Sequence, residues 1–239
     1  MLIDPLALQD NPQRLEDIEK ASLRLVVQAL CDYREMAGRI FSEESDLVAD
    51  IGEDITREAL DRIGVSRIEQ RLFGKIDYKR ARYVFHPEYA IKQALFVDSK
   101  AEQVAGRGTA TLQTSQFSMR VRQVRQDESV DIPGKLPPVL TIAGEGYITT
   151  TVFVKYHYDS DERGKANRLD SITIAALPNG YLQGIYNPDA RDTIWIAGRN
   201  APSRGEEFRV RLSFARLKHK ATWRVQEIPM PPGLFAWAE

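Results

Sequence analysis

Cysteine occurs once in this 239-residue chain, at Cys31, and histidine only three times, at His86, His157 and His219. A single thiol excludes an intrachain disulfide and any cysteine-based zinc site, and no disulfide-linked partner is expected. The scattered histidines lack metal-ligand spacing and read as surface or strand residues. No apolar run approaches the ~18 residues of a membrane span. The opening MLIDPLALQDNPQRLED has neither the positive start nor the long apolar stretch of a signal peptide. The expectation is a soluble, cytoplasmic protein with no membrane partner. Excess charge is missing too: the net charge of −1 argues against a nonspecific nucleic-acid sponge. Internal repeats, low-complexity tracts and obvious linkers are absent.

What is present is ordinary globular composition, 43% hydrophobic and 28% charged, in a chain long enough to bury a substantial core. The charge is unevenly spread. Residues 1–60 hold fourteen Asp or Glu against six Lys or Arg, whereas residues 199–220 hold seven Lys or Arg against two Glu. Such polarity suits one face built for a polyanion, although charge runs are usually solvated faces.

Apolar periodicity orders the chain. Leu15, Ile18, Ser22, Leu25, Ala29 and Tyr33 recur at three- and four-residue steps and predict a long helix over 14–42. Val48, Ile51, Ile55 and Ala59 predict a second over 46–62, stopped by Gly64. From Ile76 the texture changes to strands: IDYKRARYVF and IKQALFVDSK, joined by HPEYA. Residues 103–128 are Gln- and Arg-rich and read as partly helical. Then GYITTTVFVKYHYD, RLDSITIAALP, TIWIAG, EFRVRLSF and WRVQEI form short β-rich runs bounded by Pro, Gly and Asn. The expected fold is a single α/β domain over 1–239, a central mixed β-sheet flanked by helices with additional C-terminal strands. Its helical part lies at about 14–62, a strand pair at about 76–100 and a β-rich part at about 139–228.

One stretch, ALFVDSKAE, begins as a buried strand and then carries Asp98 and Lys100, whose side chains leave on the same face. Either this is a solvated strand end or it is a reactive site. Phosphodiester hydrolysis offers a chemistry that fits, because it needs very large acceleration. One or two carboxylates can hold Mg²⁺, and a lysine can stabilise transition-state charge. Asp77, at the start of the first strand, meets Asp98, at the end of the second, if the two strands pair antiparallel. A second register is open, with Glu53 or Asp54 as first acid and Asp77-Tyr78-Lys79 as the Asp-x-Lys.

Asp…Asp-x-Lys across two adjacent strands resembles the PD-(D/E)xK nuclease superfamily. LFGKIDYKRARY, ALFVDSKAE, GEDITREAL, TLQTSQFSM and GRNAPSRGEEFRVRLSFARLK resemble, in the same order, segments of the SfiI-type restriction endonucleases. The likeness spans roughly residues 15–228. Ile76 stands where the superfamily pattern has proline, and PMPPGLFAWAE is shorter and different. The resemblance implies a restriction-endonuclease-like core, with Asp77 and Asp98 as carboxylates for Mg²⁺ and Lys100 as the catalytic amine. It makes Glu53 the helix acid, with Asp54 an adjacent competitor. The implied reaction is attack of water on double-stranded DNA, leaving a 5′-phosphate, at a G·C-rich interrupted palindrome. A repair or junction-resolving nuclease and a non-catalytic DNA-binding protein are the competing readings.

Sequence readout requires side chains at base edges, and arginine on guanine is the commonest such contact. Arg209 and Arg211 alternate with Phe208, Val210 and Leu212 and so share one strand face. With Arg199, Asn200, Ser203 and Arg204 in the preceding loop they form a candidate groove-reading element. Gln113, Ser115 and Gln116 are suited to bases or phosphates, and Lys79 and Arg80 to phosphates. A palindrome is served by a two-fold homodimer, or by a homotetramer in SfiI-type enzymes. The long helix or the aromatics Trp195, Trp223 and Trp237 are candidates for the contact between subunits.

Overall fold

The structure, a computed structural model, describes residues 2–44, 48–64, 81–103, 108–160, 167–197 and 209–239. The long N-terminal helix α1 (Pro12–Glu43) starts where Asn11 Oδ1 accepts from the backbone N–H of Arg14 at 3.1 Å, with proline in the first helical position. Of the expected stripe, Leu15, Ile18, Ser22, Ala29 and Tyr33 are buried and Leu25 is partly so. Helix α2 (Val48–Arg62) buries Ile51, Ile55 and Ala59 and gives way to Gly64, whose φ of +76° glycine adopts without strain.

Strands β1 (Ala81–His86) and β2 (Ile91–Gln103) form an antiparallel pair in which Ala81 faces Phe96. Next come β3 (Thr109–Gln113), a 3₁₀ turn (Thr114–Gln116), the hairpin β4 (Val121–Arg125) and β5 (Glu128–Ile132), and the short β6 (Val139–Ile142). Two long strands, β7 (Glu145–Ser160) and β8 (Asn167–Leu177), precede the short helix α3 (Gln183–Tyr186) and β9 (Trp195–Ile196). Strand β10 (Arg209–Ser213), helix α4 (Phe214–Lys220) and β11 (Val225–Pro229) complete the described elements.

The main sheet is mixed, in the order β1-β2-β7-β8-β11, with β6 on β7. Among the described residues its one parallel pair is β2–β7, in register from Gln93↔Ile148 to Gln103↔Tyr158. These central strands are buried on both faces over most of their length, which explains why LFV and TTTVFV read as apolar runs instead of clean alternation. Helices α1 and α2 cover one face, packing Leu23, Val26, Leu30 and Ile55 on Val97, Val154 and Ile174. A three-stranded sheet, β3-β10-β9, contributes to the core on the other side, where Leu112, Val210 and Leu212 meet Phe153 and Ala175. The central mixed sheet flanked by helices is thus the architecture expected from the sequence.

Two expectations need correction. The described residues of 103–128 are mainly strand, and among them helical geometry is confined to the 3₁₀ turn at Thr114–Gln116. The β4–β5 hairpin turns on Gln126 and Asp127, with φ of 50° and 64°, as a tight two-residue hairpin loop requires. Its residues stay largely solvated, so apolar alternation is too weak to signal strand. Asp98 does not end its strand either: β2 continues to Gln103, paired to β7 throughout.

Candidate active site

Asp98 and Lys100 project from β2 beside a cavity of about 340 Å³. Asp98 is 4% exposed, whereas Lys100 is exposed, so the pair combines a sheltered carboxylate with a solvent-accessible amine. Helix α2 brings Glu53 to the same cavity. Strand β3 and its 3₁₀ turn bring Gln113, Ser115 and Gln116, and β10 brings Arg209. Acids, an amine, amides and a guanidinium from four parts of the chain therefore line one space.

Local packing explains how Glu53 gets there. Its neighbour Gly52 has no side chain, and a Cβ at that position would lie 3.0 Å from Tyr156 Cδ2 and 3.5 Å from the backbone nitrogen of Ala101. The helix can approach β7 and β2 this closely only because glycine is at the contact. Thr56, one turn on, then pins it: Thr56 Oγ1 accepts from Ser99 Oγ at 2.8 Å and lies 2.7 Å from the Tyr156 hydroxyl. Burial pushes the Tyr156 phenol well above its ordinary pKa, so it stays a neutral hydrogen-bonding group. Asp54, the competing helix acid, is exposed and forms an i,i+3 ion pair with Arg57. Glu53 lines the cavity and Asp54 does not.

Lys100 Nζ donates to the carbonyl oxygen of Thr111 on β3 at 2.7 Å. An ammonium carries three donors and no acceptor, which suits it to anionic and carbonyl oxygens. Gln116 Oε1 accepts from the backbone N–H of Gln113 at 2.7 Å and holds the turn that presents these polar groups. Arg209 faces Gln113 across the β3–β10 pair, and Arg211 faces Thr111. Arg211 is exposed on the same strand while Val210 and Leu212 are buried, the alternation expected of EFRVRLSF. Arg211 is not among the residues lining the cavity.

Asp77, Lys79 and Arg80 lie outside the described residues, as do Arg199, Asn200, Ser203 and Arg204. The antiparallel register sets Ala81, the first residue of β1, opposite Phe96, which lines the cavity. The sequence reading missed Thr151, which also lines the cavity, and Lys155, which is 1% exposed and stands beside Lys100 in the β2–β7 register. Lys155 carried the same signal as Asp98, a charge inside an apolar strand run, in VFVKYHY.

Oxygen donors dominate the acidic side of the cavity, where Asp98 and Glu53 stand and no thiol or imidazole does. Such a set suits a hard divalent cation. Among the described residues no three His, Cys, Asp or Glu side chains cluster as a dedicated metal cage, but Mg²⁺ needs only one or two protein carboxylates.

The chain is similar to known proteins over most of its length. The family model described as type II restriction enzyme SfiI matches residues 32–228. The type II restriction enzyme SfiI of Streptomyces fimbriatus is 37% identical over 227 residues, spanning 90% of this chain and 84% of that protein. The crystal structure of tetrameric restriction endonuclease SfiI bound to cognate DNA superposes with a TM-score of 0.79 at 34% identity, over 94% of this chain and 87% of that one. The restriction endonuclease BglI bound to its DNA recognition sequence shares the fold, with a TM-score of 0.77 at 16% identity over 95% and 94% of the two chains. Among the described residues no helix is long and apolar enough to cross a membrane. This chain belongs to the SfiI family of type II restriction enzymes, which are site-specific endonucleases.

Proposed function

We propose that the protein cleaves double-stranded DNA at a G·C-rich interrupted palindrome in a Mg²⁺-dependent reaction, acting as a homodimer or homotetramer. The observation that carries this reading is the single cavity shared by Asp98, Lys100 and Glu53 with the polar and cationic side chains of β3 and β10. Asp98 and Asp77 hold the cation, with Glu53 as the additional acid. The chemistry such a cation supplies is polarisation of the phosphoryl group and acidification of water. Lys100 places its ammonium against the charge that develops on the phosphate in the transition state. Glu53 orients the attacking water, and the product carries a 5′-phosphate.

Arg209 and Arg211 contact guanine edges from β10, with Arg199, Asn200, Ser203 and Arg204 in the loop before it. Gln113, Ser115 and Gln116 complete the recognition surface, and Lys79 and Arg80 neutralise backbone phosphates. Each bidentate arginine contributes about 1–3 kcal/mol of discrimination against a wrong base. The relatives support the partners: SfiI is a tetramer on cognate DNA, and BglI is bound to its recognition sequence.

The test is digestion of a sequenced plasmid with Mg²⁺ by the wild type and by Asp98→Asn. Discrete mapped ends from the wild type, with a variant that binds duplex and does not cut, are expected. Undiminished cutting by the variant would falsify the assignment.

A further inference from the structure

Lys155 lies at the back of the active-site strands, 1% exposed, on β7. In the parallel β2–β7 register it is the direct neighbour of Lys100. Its Nζ donates to the carbonyl oxygen of Thr109 at 2.6 Å and forms an ion pair with Glu102, whose side chain is 56% exposed. Lys100 Nζ donates in the same way to the carbonyl of Thr111. Two lysines from adjacent strands of the main sheet thus hold alternate carbonyls of one strand, β3. Among the described residues that strand is the outer member of the β3-β10-β9 sheet, with a strand on one side only. The amines bond to its carbonyls.

What hangs on β3 is the recognition surface. Thr109, Thr111 and Gln113 face Ser213, Arg211 and Arg209 on β10. An ammonium is costly to bury, and a methionine would fill similar space without that desolvation. Core packing alone therefore gives no reason for a lysine at this position.

We propose that Lys155 is a positioning residue for the cleavage step. It clamps β3 to the main sheet so that the arginines of β10 and the amine of Lys100 keep one relative placement. The proposal rests on the roles given above to Lys100, Arg209 and Arg211. Seating of the correct base pairs against β10 is then felt at Lys100 through β3, and loss of the clamp separates recognition from cutting.

Full-length wild type, Lys155→Met and Asp98→Asn are compared on the plasmid-mapped site. Four quantities are read: the single-turnover rate with saturating enzyme and Mg²⁺, the Kd for the duplex without divalent cation, the ratio of rates on cognate and single-mismatch duplexes, and the urea midpoint. For Lys155→Met the expected result is a rate about 10- to 100-fold lower, the size of effect that sub-ångström to ångström misplacement causes. The cognate-to-mismatch ratio falls as well, while Kd and the midpoint stay near wild type. A wild-type rate and ratio in Lys155→Met, with Asp98→Asn inactive, overturns the positioning role and leaves the active site standing. Cutting by Asp98→Asn overturns the active-site reading itself. Parallel losses in rate, Kd and midpoint show a merely structural lysine and also overturn the proposal. If Lys155→Met does not fold, Lys155→Gln, too short to reach the same carbonyl, is read by the same criteria, and failure of both to fold counts against the proposal.

Discussion

Gly52→Ala tests whether close approach of α2 is what places Glu53. The added Cβ would sit 3.0 Å from Tyr156 Cδ2 and 3.3 Å from Cε2, inside ordinary contact distance. The ring is poorly placed to yield: Tyr156 is fully buried, its centroid is 5.7 Å from that of Phe41, and its hydroxyl lies 2.7 Å from Thr56 Oγ1. The helix must lift instead, by a few tenths of an ångström. Alanine gains about 1 kcal/mol of helix propensity over glycine, while overpacking costs about 1–3 kcal/mol. The expected net effect is a loss of about 0–2 kcal/mol in urea denaturation. Glu53 is the next residue and moves with the backbone. Since a 1 Å misplacement can cost about 100-fold, a shift of this size should lower the single-turnover cleavage rate roughly 3- to 10-fold. A variant that gains about 1 kcal/mol and cuts at the wild-type rate would show that propensity wins. The contact would then not be what positions the acid.

Arg224→Met should be far more damaging to stability, because it leaves Glu19 buried without the guanidinium that lies 2.7 Å away; about 3–5 kcal/mol is expected by urea titration. Burial already pushes the Glu19 carboxyl above its ordinary pKa despite Arg224. A folded-state value above the unfolded one contributes stability that is fully present below the unfolded pKa and lost as pH rises through the folded one. Removing Arg224 raises that value further, so the deficit should be smaller at pH 5 than at pH 8, and a pH-independent deficit would contradict this account. Arg211→Ala removes an exposed side chain and should leave the fold intact while relaxing discrimination at one base pair by about 1–3 kcal/mol; cleavage of a single-substitution duplex panel decides. Glu53→Gln should slow cutting, whereas Asp54→Ala, which loses only an exposed ion pair, should change stability by less than about 1 kcal/mol and leave the rate unchanged.

Much of the fold was readable along the chain. The stripes Leu15-Ile18-Ser22 and Ile51-Ile55-Ala59 have helical spacing, and both helices bury them. The apolar runs around Val97 and Val152 became adjacent central strands. The β4–β5 hairpin of 121–132 was not legible, because its strands pair with each other and bury little beyond Val121 and Gln123. The charges Asp98 and Lys100 announced themselves by interrupting LFV. Glu53 and Asp54 are sequence neighbours of the same chemistry, and nothing local separates them.

Residue spacing, which is a property of a few consecutive positions, determined the helices, most of the strands and the presence of charge where apolar side chains were due. The tertiary structure alone decided how α2 is rotated and how β2 registers against β7. Gly52 against Tyr156 turned Glu53 toward the cavity, and the parallel register set Lys155 beside Lys100. Both outcomes depend on contacts between segments dozens of residues apart, whose energies no short stretch of sequence contains.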